Sequence, residues 1–487
     1  MSAPAGASLA ETHSAVVFFV GDRAYKLKKP VDLGFLDFRR RSVREAVCHR
    51  EVELNRRLAP DVYLGVADVR DPGGEVCDHL VVMRRMPADR RLSTLLTAGE
   101  PVDDHLWHLA HLIAAFHARA ERSVAADAAA SPGALVGRWR DNTAALVSLD
   151  RVVDRASVDR VQALAVRYLE GRHPLFARRI AEGRACDGHG DLLADDVFCL
   201  DEGPQVLDCI EFDDQLRYGD TLADVAFLAM DLERLGHPEL GERFLRAYRE
   251  HADDTWPASL EHHHVAYRAQ VRAKVAAIRA GQGHEPSVAE ARRLLDIALR
   301  HLEAGRIRLV VVGGLPGTGK STVARSVGDA LGATVLRSDE VRKELAGLPS
   351  HHHAPDEFGQ GIYAPTATAD TYGGLLARAE VALGMGETVV LDASWNEERW
   401  RELARALATR THADLVELRC EVAADVAAER MRSRAAAGAD PSDATPAIAA
   451  AMAATADSWP TATTIPTGGP ASVSLAEALD AVAAHAR

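Results

Sequence analysis

The stretch "LVVVGGLPGTGKSTVARSVGDAL", residues 309–331, decides the reading of the C-terminal half. An apolar run leads into Gly314-x4-Gly319-Lys320-Ser321, and a helical pattern follows. That order of strand, loop and helix is what a phosphate-binding loop requires. Gly314, Leu315, Pro316, Gly317, Thr318 and Gly319 let backbone N–H groups line an anion nest, and Lys320 reaches toward β- and γ-phosphates. Ser321 is placed to hold Mg²⁺, and with Thr322 it opens a helix whose N-terminus carries partial positive charge. ATP and Mg²⁺ are the cofactors this pattern predicts.

Working outward, "IRLVVVGG", "TVLRS", "TVVLDAS" and "DLVELRC" alternate with helical text from Arg306 onward, the pattern of an α/β unit with a parallel sheet. "LRSDEVRKEL" sets Asp339 and Arg342 at the end of the second strand, where ligands of such sheets bind. Asp392 ends the third strand and suits Mg²⁺ or its water. "AERMRSRAAAGADPSDAT" carries Arg430 and Arg434 on a helix before a Gly- and Pro-containing turn, which reads as a closing lid that neutralises a transferring phosphoryl group. Together these residues resemble the small P-loop kinases (AAA-, zeta-toxin- and gluconate-kinase-like enzymes, with the 5′-polynucleotide kinase domain) over about residues 306 to 487. The resemblance implies that Asp339 faces the acceptor hydroxyl and that Lys320 and Asp339 are the catalytic pair.

The N-terminal half opens with "SAVVFFVGDRAYKLKKPV", two strand-like runs around the turn residues Gly21-Asp22. A charged helix stopped by Pro60 follows, then two more strands around Pro72-Gly73-Gly74, then long Ala- and Leu-rich helices. Within the helical text lies "HGDLLADDVFCLDEGPQVLDCIEFDD", residues 189–214. An Asp on a loop, a second acid several residues on and a third at a strand end is a kinase-type arrangement. Asp191 is the expected base, and Asp196 and Asp208 the metal ligands, with "LDEGPQ" as a hairpin turn.

This half resembles the aminoglycoside phosphotransferase family, a kinase-like fold shared with choline and sugar kinases, over about residues 10 to 290. The resemblance implies that Lys26 or Lys28, at i and i+2 on one strand face, binds phosphate. It makes Glu51 the helix partner, "VVMRRM" the hinge beside adenine, "YGDTLADVAFL" a structural helix and His189 a pin for the loop. Two departures stand out: Asp196 occupies a position where the family usually has Asn, which adds a negative charge, and no GxGxxG occurs near residue 13. The pairing of the two halves resembles actinobacterial bifunctional phosphotransferase/ATP-binding proteins.

The fold class expected is therefore multidomain: a bilobal kinase-like α+β domain (lobes 1–86 and 87–304) and an α/β P-loop domain (305–487). A chain of 487 residues with 47% hydrophobic and 5% aromatic content fits such a globular protein. Its formal charge of −14 disfavours nucleic acid as a partner and favours a small-molecule hydroxyl acceptor. The charge also counts against a 5′-polynucleotide kinase. The six cysteines form no CxxC pair, and no run is long enough to span a membrane, so a reducing cytosol is expected. The sequence is silent on oligomeric state. Adjacent histidines in the triplets at 262–264 and 351–353 point in different directions on a helix, so neither reads as a metal site, and the second reads as pocket-lining. Arg268, Arg272 and Lys274 read as a solvated helix face. A competing reading makes the N-terminal half a metabolite sensor and only the P-loop half a kinase.

Overall fold

The computed structural model of the chain describes residues 8–11, 14–32, 37–149, 151–349, 360–437 and 445–484, without the side chains of 434–437. The chain divides into two compact units, one of residues 1–159, 177–256 and 264–301, the other of 160–176, 257–263 and 302–487.

In the first unit, five antiparallel strands form one sheet in the order β1-β2-β3-β5-β4: β1 (Ser8–Glu11), β2 (Ala15–Val20), β3 (Arg23–Lys28), β4 (Tyr63–Arg70) and β5 (Val76–Arg84). Gly21-Asp22 turns β2 into β3 with Val20 facing Arg23, as the turn signal predicts. The Arg41–Asn55 helix buries Arg44, Cys48, Glu51, Val52 and Asn55 along one stripe against the sheet. Cys48 and Val52 pack on Ala24, Val81 and Met83. Two polar members of that stripe, Glu51 and Asn55, are spent on the site described below.

A helical lobe follows, interrupted by two short antiparallel pairs: β6 (Ala185–Asp187) with β9 (Tyr218–Asp220), and β7 (Val197–Leu200) with β8 (Gly203–Val206). The second is the hairpin around "LDEGPQ". The Thr221–Arg234 helix behind them is buried along almost its whole length.

The second unit is a parallel sheet in the order β11-β12-β10-β13-β14: β10 (Arg308–Gly313), β11 (Thr334–Arg337), β12 (Val389–Asp392), β13 (Asp414–Glu421) and β14 (Thr463–Pro466). Leu309 to Val312 are fully buried, because helices cover both faces of a parallel sheet and its central strand reads as an unbroken apolar run. Four of the strands are those the sequence predicts. β14 is the exception: four residues ending in a proline at a sheet edge give almost no periodic signal. The central β10 has β12 on one side and β13 on the other, so the chain reverses its winding there and opens a crevice at the carboxyl ends.

Among the described residues, no helix is long and apolar enough to cross a membrane.

Candidate functional site

In the first unit, two lysines and three acids converge from distant parts of the chain. Lys26 Nζ lies 2.9 Å from Glu51 Oε1 and donates to Asp208 Oδ1 at 2.5 Å. Lys28 Nζ lies 2.6 Å from Glu51 Oε2 and also donates to Glu211 Oε1. The lysines share a strand face as expected, but their surroundings differ. Lys28 is 1% exposed and enclosed by carboxylates, whereas Lys26 reaches the half-exposed Asp208. Burial alone would lower both ammonium pKa values; the facing carboxylates more than reverse this, and both stand above their ordinary value. Lys26, acting first, together with Lys28 and His189, holds Asp208 down at about 2 despite the opposing effect of desolvation.

Asp208 has φ of 65°, a left-handed conformation that Asp tolerates better than most residues. Three groups fix it there. Its N–H donates to Tyr63 Oη at 3.2 Å, the next N–H donates to Asn55 Oδ1 at 2.9 Å, and the preceding carbonyl of Leu207 lies 3.1 Å from His189 Nε2.

The loop carrying Asp191 is held by one carboxylate. Asp224 accepts the N–H groups of His189 and Gly190 at 2.7 and 2.8 Å and also faces His117 Nε2 at 3.1 Å. Burial opposes its charge, but the His117 contact outweighs burial, with help from His189 and Arg268, and its pKa falls below the ordinary range. A Cβ at Gly188 would stand 2.7 Å from Asp224 Oδ2, so only glycine admits this approach. Seven residues along the same helix, Asp231 accepts the N–H of Ala194 at 3.0 Å. His189 is fully buried, and burial keeps its pKa below the ordinary value; its Nδ1 accepts from the Asp191 N–H at 3.3 Å, the pin the sequence predicts.

Burial raises the Asp191 pKa against the opposing Arg272, whose guanidinium lies 3.9 Å away. Desolvation, then Asp208, Asp191 and Asp195, push Asp196 well above the usual carboxylate range. Asp196 and Asp208 are the expected Mg²⁺ ligands. No group of three or more His, Cys, Asp and Glu side chains is arranged for a metal among the described residues, and two carboxylates completed by nucleotide oxygens and water is how Mg²⁺ is commonly held.

Arg268 and Lys274 do not form the solvated face expected of them. Arg268 donates to Ala223 O and Gly190 O at 2.8 and 3.2 Å and stacks on Phe227, and Lys274 donates to Asn142 Oδ1 at 2.7 Å. A helix packed on both sides hides its charges in internal hydrogen bonds, and periodicity does not reveal this. His263 stacks on Tyr168 and His264 is buried with its pKa lowered to about 4, so both are structural; His351 to His353 lie outside the described residues.

In the second unit, Gly314, Gly317 and Gly319 all have positive φ, and a Cβ at Gly317 would stand 2.5 Å from the carbonyl of Ala427. Thr318 closes the loop on Leu315 O at 2.8 Å, and Lys320 opens the next helix. Lys320 lines two cavities. One, of about 680 Å³, is shared with Gly317, Gly319, Ser321, Thr322 and Arg430. The other, of about 500 Å³, is shared with Pro316, Asp339 and Arg342. Arg430 donates to Thr467 O at 2.7 Å, which holds its guanidinium beside the loop, while the side chain of Arg434 lies outside the described residues.

Asp339 sits in the first turn of the Ser338–Leu345 helix and does not cap it. Burial, then Asp392, raises its pKa against Lys320. Asp392 is 3% exposed; its Oδ2 accepts Arg337 Nε at 3.2 Å, and its Oδ1 is buried with no hydrogen-bond partner among the described residues. An orphaned carboxylate oxygen at this strand end fits Mg²⁺ or a metal-bound water.

Sequence reasoning missed Tyr63, Asn55, Glu211, Arg337 and Thr467. Glu211 and Arg337 lie inside the quoted stretches without a role assigned to them there, the other three lie outside any motif, and each acts through a partner far away in sequence.

Residues 309–458 match the AAA domain family. Uncharacterized proteins of Mycobacterium tuberculosis and Mycobacterium bovis are 45% identical over 469 residues, covering 96% of this chain and 94% of theirs. Among solved structures, the GDP and kanamycin complex of APH(2")-IIia covers 61% of this chain and 94% of its own, at 15% identity and TM-score 0.40. A gluconokinase from Sinorhizobium meliloti 1021 covers 37% of this chain and 93% of its own, at 21% identity and TM-score 0.27. The chain belongs to the family of these mycobacterial proteins, with an AAA domain match in its second unit.

Proposed function

We propose that the protein is an ATP- and Mg²⁺-dependent phosphotransferase with two kinase modules, residues 1–304 (lobes 1–86 and 87–304) and 305–487, each acting on a hydroxyl of a small molecule such as a sugar, amino sugar or aminoglycoside-like compound. The observation that carries it is Lys320, which borders a phosphate-loop cavity on one side and the cavity of Asp339 on the other. A lysine so placed touches donor phosphate and acceptor alike, and in phosphoryl transfer positioning and charge neutralisation supply most of the rate. Asp339, its pKa raised by burial, accepts the acceptor's proton, and Arg430 and Lys320 offset charge on the moving group. In the first unit Lys26 and Lys28 are the phosphate-side lysines with Glu51 as their partner, and Asp191 is the base. Asp196 and Asp208 in the first unit, and Ser321 and Asp392 in the second, would hold Mg²⁺, which would supply positive charge against the nucleotide phosphates. All six cysteines are free, which supports a reducing cytosol.

The test is ADP release over a panel of hydroxyl compounds for the full chain, Asp191→Ala and Lys320→Ala. Each variant is expected to lose a different activity; if neither changes ADP release with any accepted substrate, the reading fails. The crowding of acids about Asp196 favours a second reading, in which the first unit binds a metabolite without turnover. Phosphoryl transfer by Lys320→Ala that is lost on adding Asp191→Ala would eliminate it.

A further inference from the structure

We propose that the acceptor of the first unit carries a carboxylate or phosphate near its hydroxyl, held by Arg272 with Arg138 and Arg268. A sugar acid or sugar phosphate then fits and an amino sugar does not; this rests on the kinase reading of Asp191 and refines its substrate. Arg272 is the residue that carries it. Its Nη1 stands 3.9 Å from Asp191 Oδ2, too far for a hydrogen bond, and among the described residues its guanidinium makes no hydrogen bond and no other ion pair. Neither side chain is sealed in: 19% of Arg272 and 32% of Asp191 are exposed, so a ligand can touch both.

Two more arginines stand nearby with donors to spare. Arg268 lies one turn before Arg272 on the same face of the Ala258–Gly281 helix. Its Nε and Nη1 are used on the carbonyls of Ala223 and Gly190, while Nη2 has no partner among the described residues. Arg138, on the Pro132–Val147 helix, uses only Nη2, on the carbonyls of Gln215 and Tyr218 at 3.1 and 3.4 Å. Desolvation first, and Arg138 with it, lower the Arg268 pKa against Tyr267, Asp224 and Asp191, so the two guanidinium groups lie within electrostatic reach of one another. Both are half-buried, and among the described residues neither is paired with a carboxylate.

The acids within reach do not close this balance. Asp224 is committed to two loop N–H groups and His117, Asp231 to the Ala194 N–H and Arg234, and Asp196 and Asp208 are the proposed Mg²⁺ ligands. Asp191 alone meets Arg272, and in transfer it turns to the acceptor's hydroxyl. A chain with a formal charge of −14 is not short of acids: Arg44, Arg179 and Arg217 each hold one at 2.9 Å or less. Partly buried arginines left without one, beside a base, are placed for an anion that the ligand brings. A cationic acceptor would meet them as like charges. The 3.9 Å gap sets anion and hydroxyl on one small molecule, within the reach of a single sugar ring.

The experiment is calorimetric titration of the full chain saturated with Mg²⁺ and a non-hydrolysable ATP analogue, with four probes that share one ring and differ in charge: glucuronate, glucose 6-phosphate, glucose and glucosamine. At least one anionic probe should bind about tenfold tighter than both glucose and glucosamine, and the better of the two identifies carboxylate or phosphate as the natural group. Arg272→Gln breaks no hydrogen bond, so it should melt with the parent while erasing that advantage and leaving glucose unchanged; this dependence places the anion in the first unit. Arg138→Gln should reduce the advantage in part. Anionic probes that bind no better than glucose, a preference that survives both substitutions, or an equal loss of glucose affinity in Arg272→Gln overturns the assignment. Turnover is read separately as ADP release. The expected binding with no turnover of any probe or panel compound leaves the anion site assigned and sinks the kinase reading of Asp191. Asp191-dependent turnover of glucose or glucosamine that Arg272→Gln does not change keeps that reading and sinks the anion site.

Discussion

Under the proposed function Lys26 and Lys320 would have corresponding tasks in the two units, and their surroundings are opposite. Lys26 bridges Glu51 and Asp208, the latter 182 residues away. Among the described residues Lys320 makes no side-chain hydrogen bond or ion pair, although it lies close enough to Asp339 to act on its charge. The difference teaches how each site would meet a nucleotide under the proposed function. Lys320 follows contiguous loop backbone and has no fixed side-chain partner among the described residues, whereas a phosphate at Lys26 would have to replace its contact with Asp208. The charge of Lys26 is already balanced by the fold.

Removing each lysine's support breaks the comparison most severely at Lys320. Lys320→Ala should lower transfer by the second unit by roughly 10² to 10³, the scale for loss of one preorganised charge donor, with the fold intact by circular dichroism. In the first unit the larger effect falls on stability. Glu51→Ala leaves Lys26 with Asp208 alone and the buried Lys28 with Glu211 alone, and should cost about 3 kcal/mol in urea unfolding, the low end for breaking a buried pair, where Lys320→Ala costs little.

A smaller loss is expected from Asp224→Asn, which leaves one acceptor oxygen where two loop N–H groups and His117 now share a carboxylate. About 1.5–3 kcal/mol of the unit's stability should go, together with activity at Asp191. Restored activity with unchanged stability would show that the loop is held by other means.

The smallest effect sharpens the comparison through pH. Unfolded, Asp196 ionises in the ordinary carboxylate range; folded without metal, it keeps its proton to much higher pH. The folded state then binds more protons across that window, so this residue's contribution to stability falls as pH rises through it. Asp196→Asn removes the loss. Without nucleotide the variant should melt roughly 2–4 °C higher near pH 8 for each kcal/mol relieved, and alike with the parent once pH falls below the unfolded carboxylate range. A gap independent of pH would place the cause elsewhere.

Much of the architecture was legible because its signals are local. The apolar run of β10, the Gly21-Asp22 hairpin and the "LDEGPQ" turn need only neighbouring residues to be read. The site was legible as far as its motifs extend. Nothing near Tyr63 or Asn55 announces that they pin Asp208, since their hydrogen bonds cross 145 and 154 residues. β14 escaped for want of length, and the burial of Arg268 escaped because a charged helical stripe looks the same whether it faces water or a packed loop.

The sequence by itself determined the glycine-rich loop, since residues 314 to 322 carry their own geometry in glycines and a helix start. It also determined the order of acids Asp191, Asp196 and Asp208. Only the tertiary structure told the surroundings of the two lysines apart. Lys26 and Lys28 are indistinguishable by strand periodicity, and they differ in which acid each meets besides Glu51: Asp208 at the half-exposed edge or Glu211 in the interior. Tertiary structure likewise made the cavity beside Asp339, because lining residues such as Arg342 and Met452 come from helices about a hundred residues apart and meet only in the folded sheet.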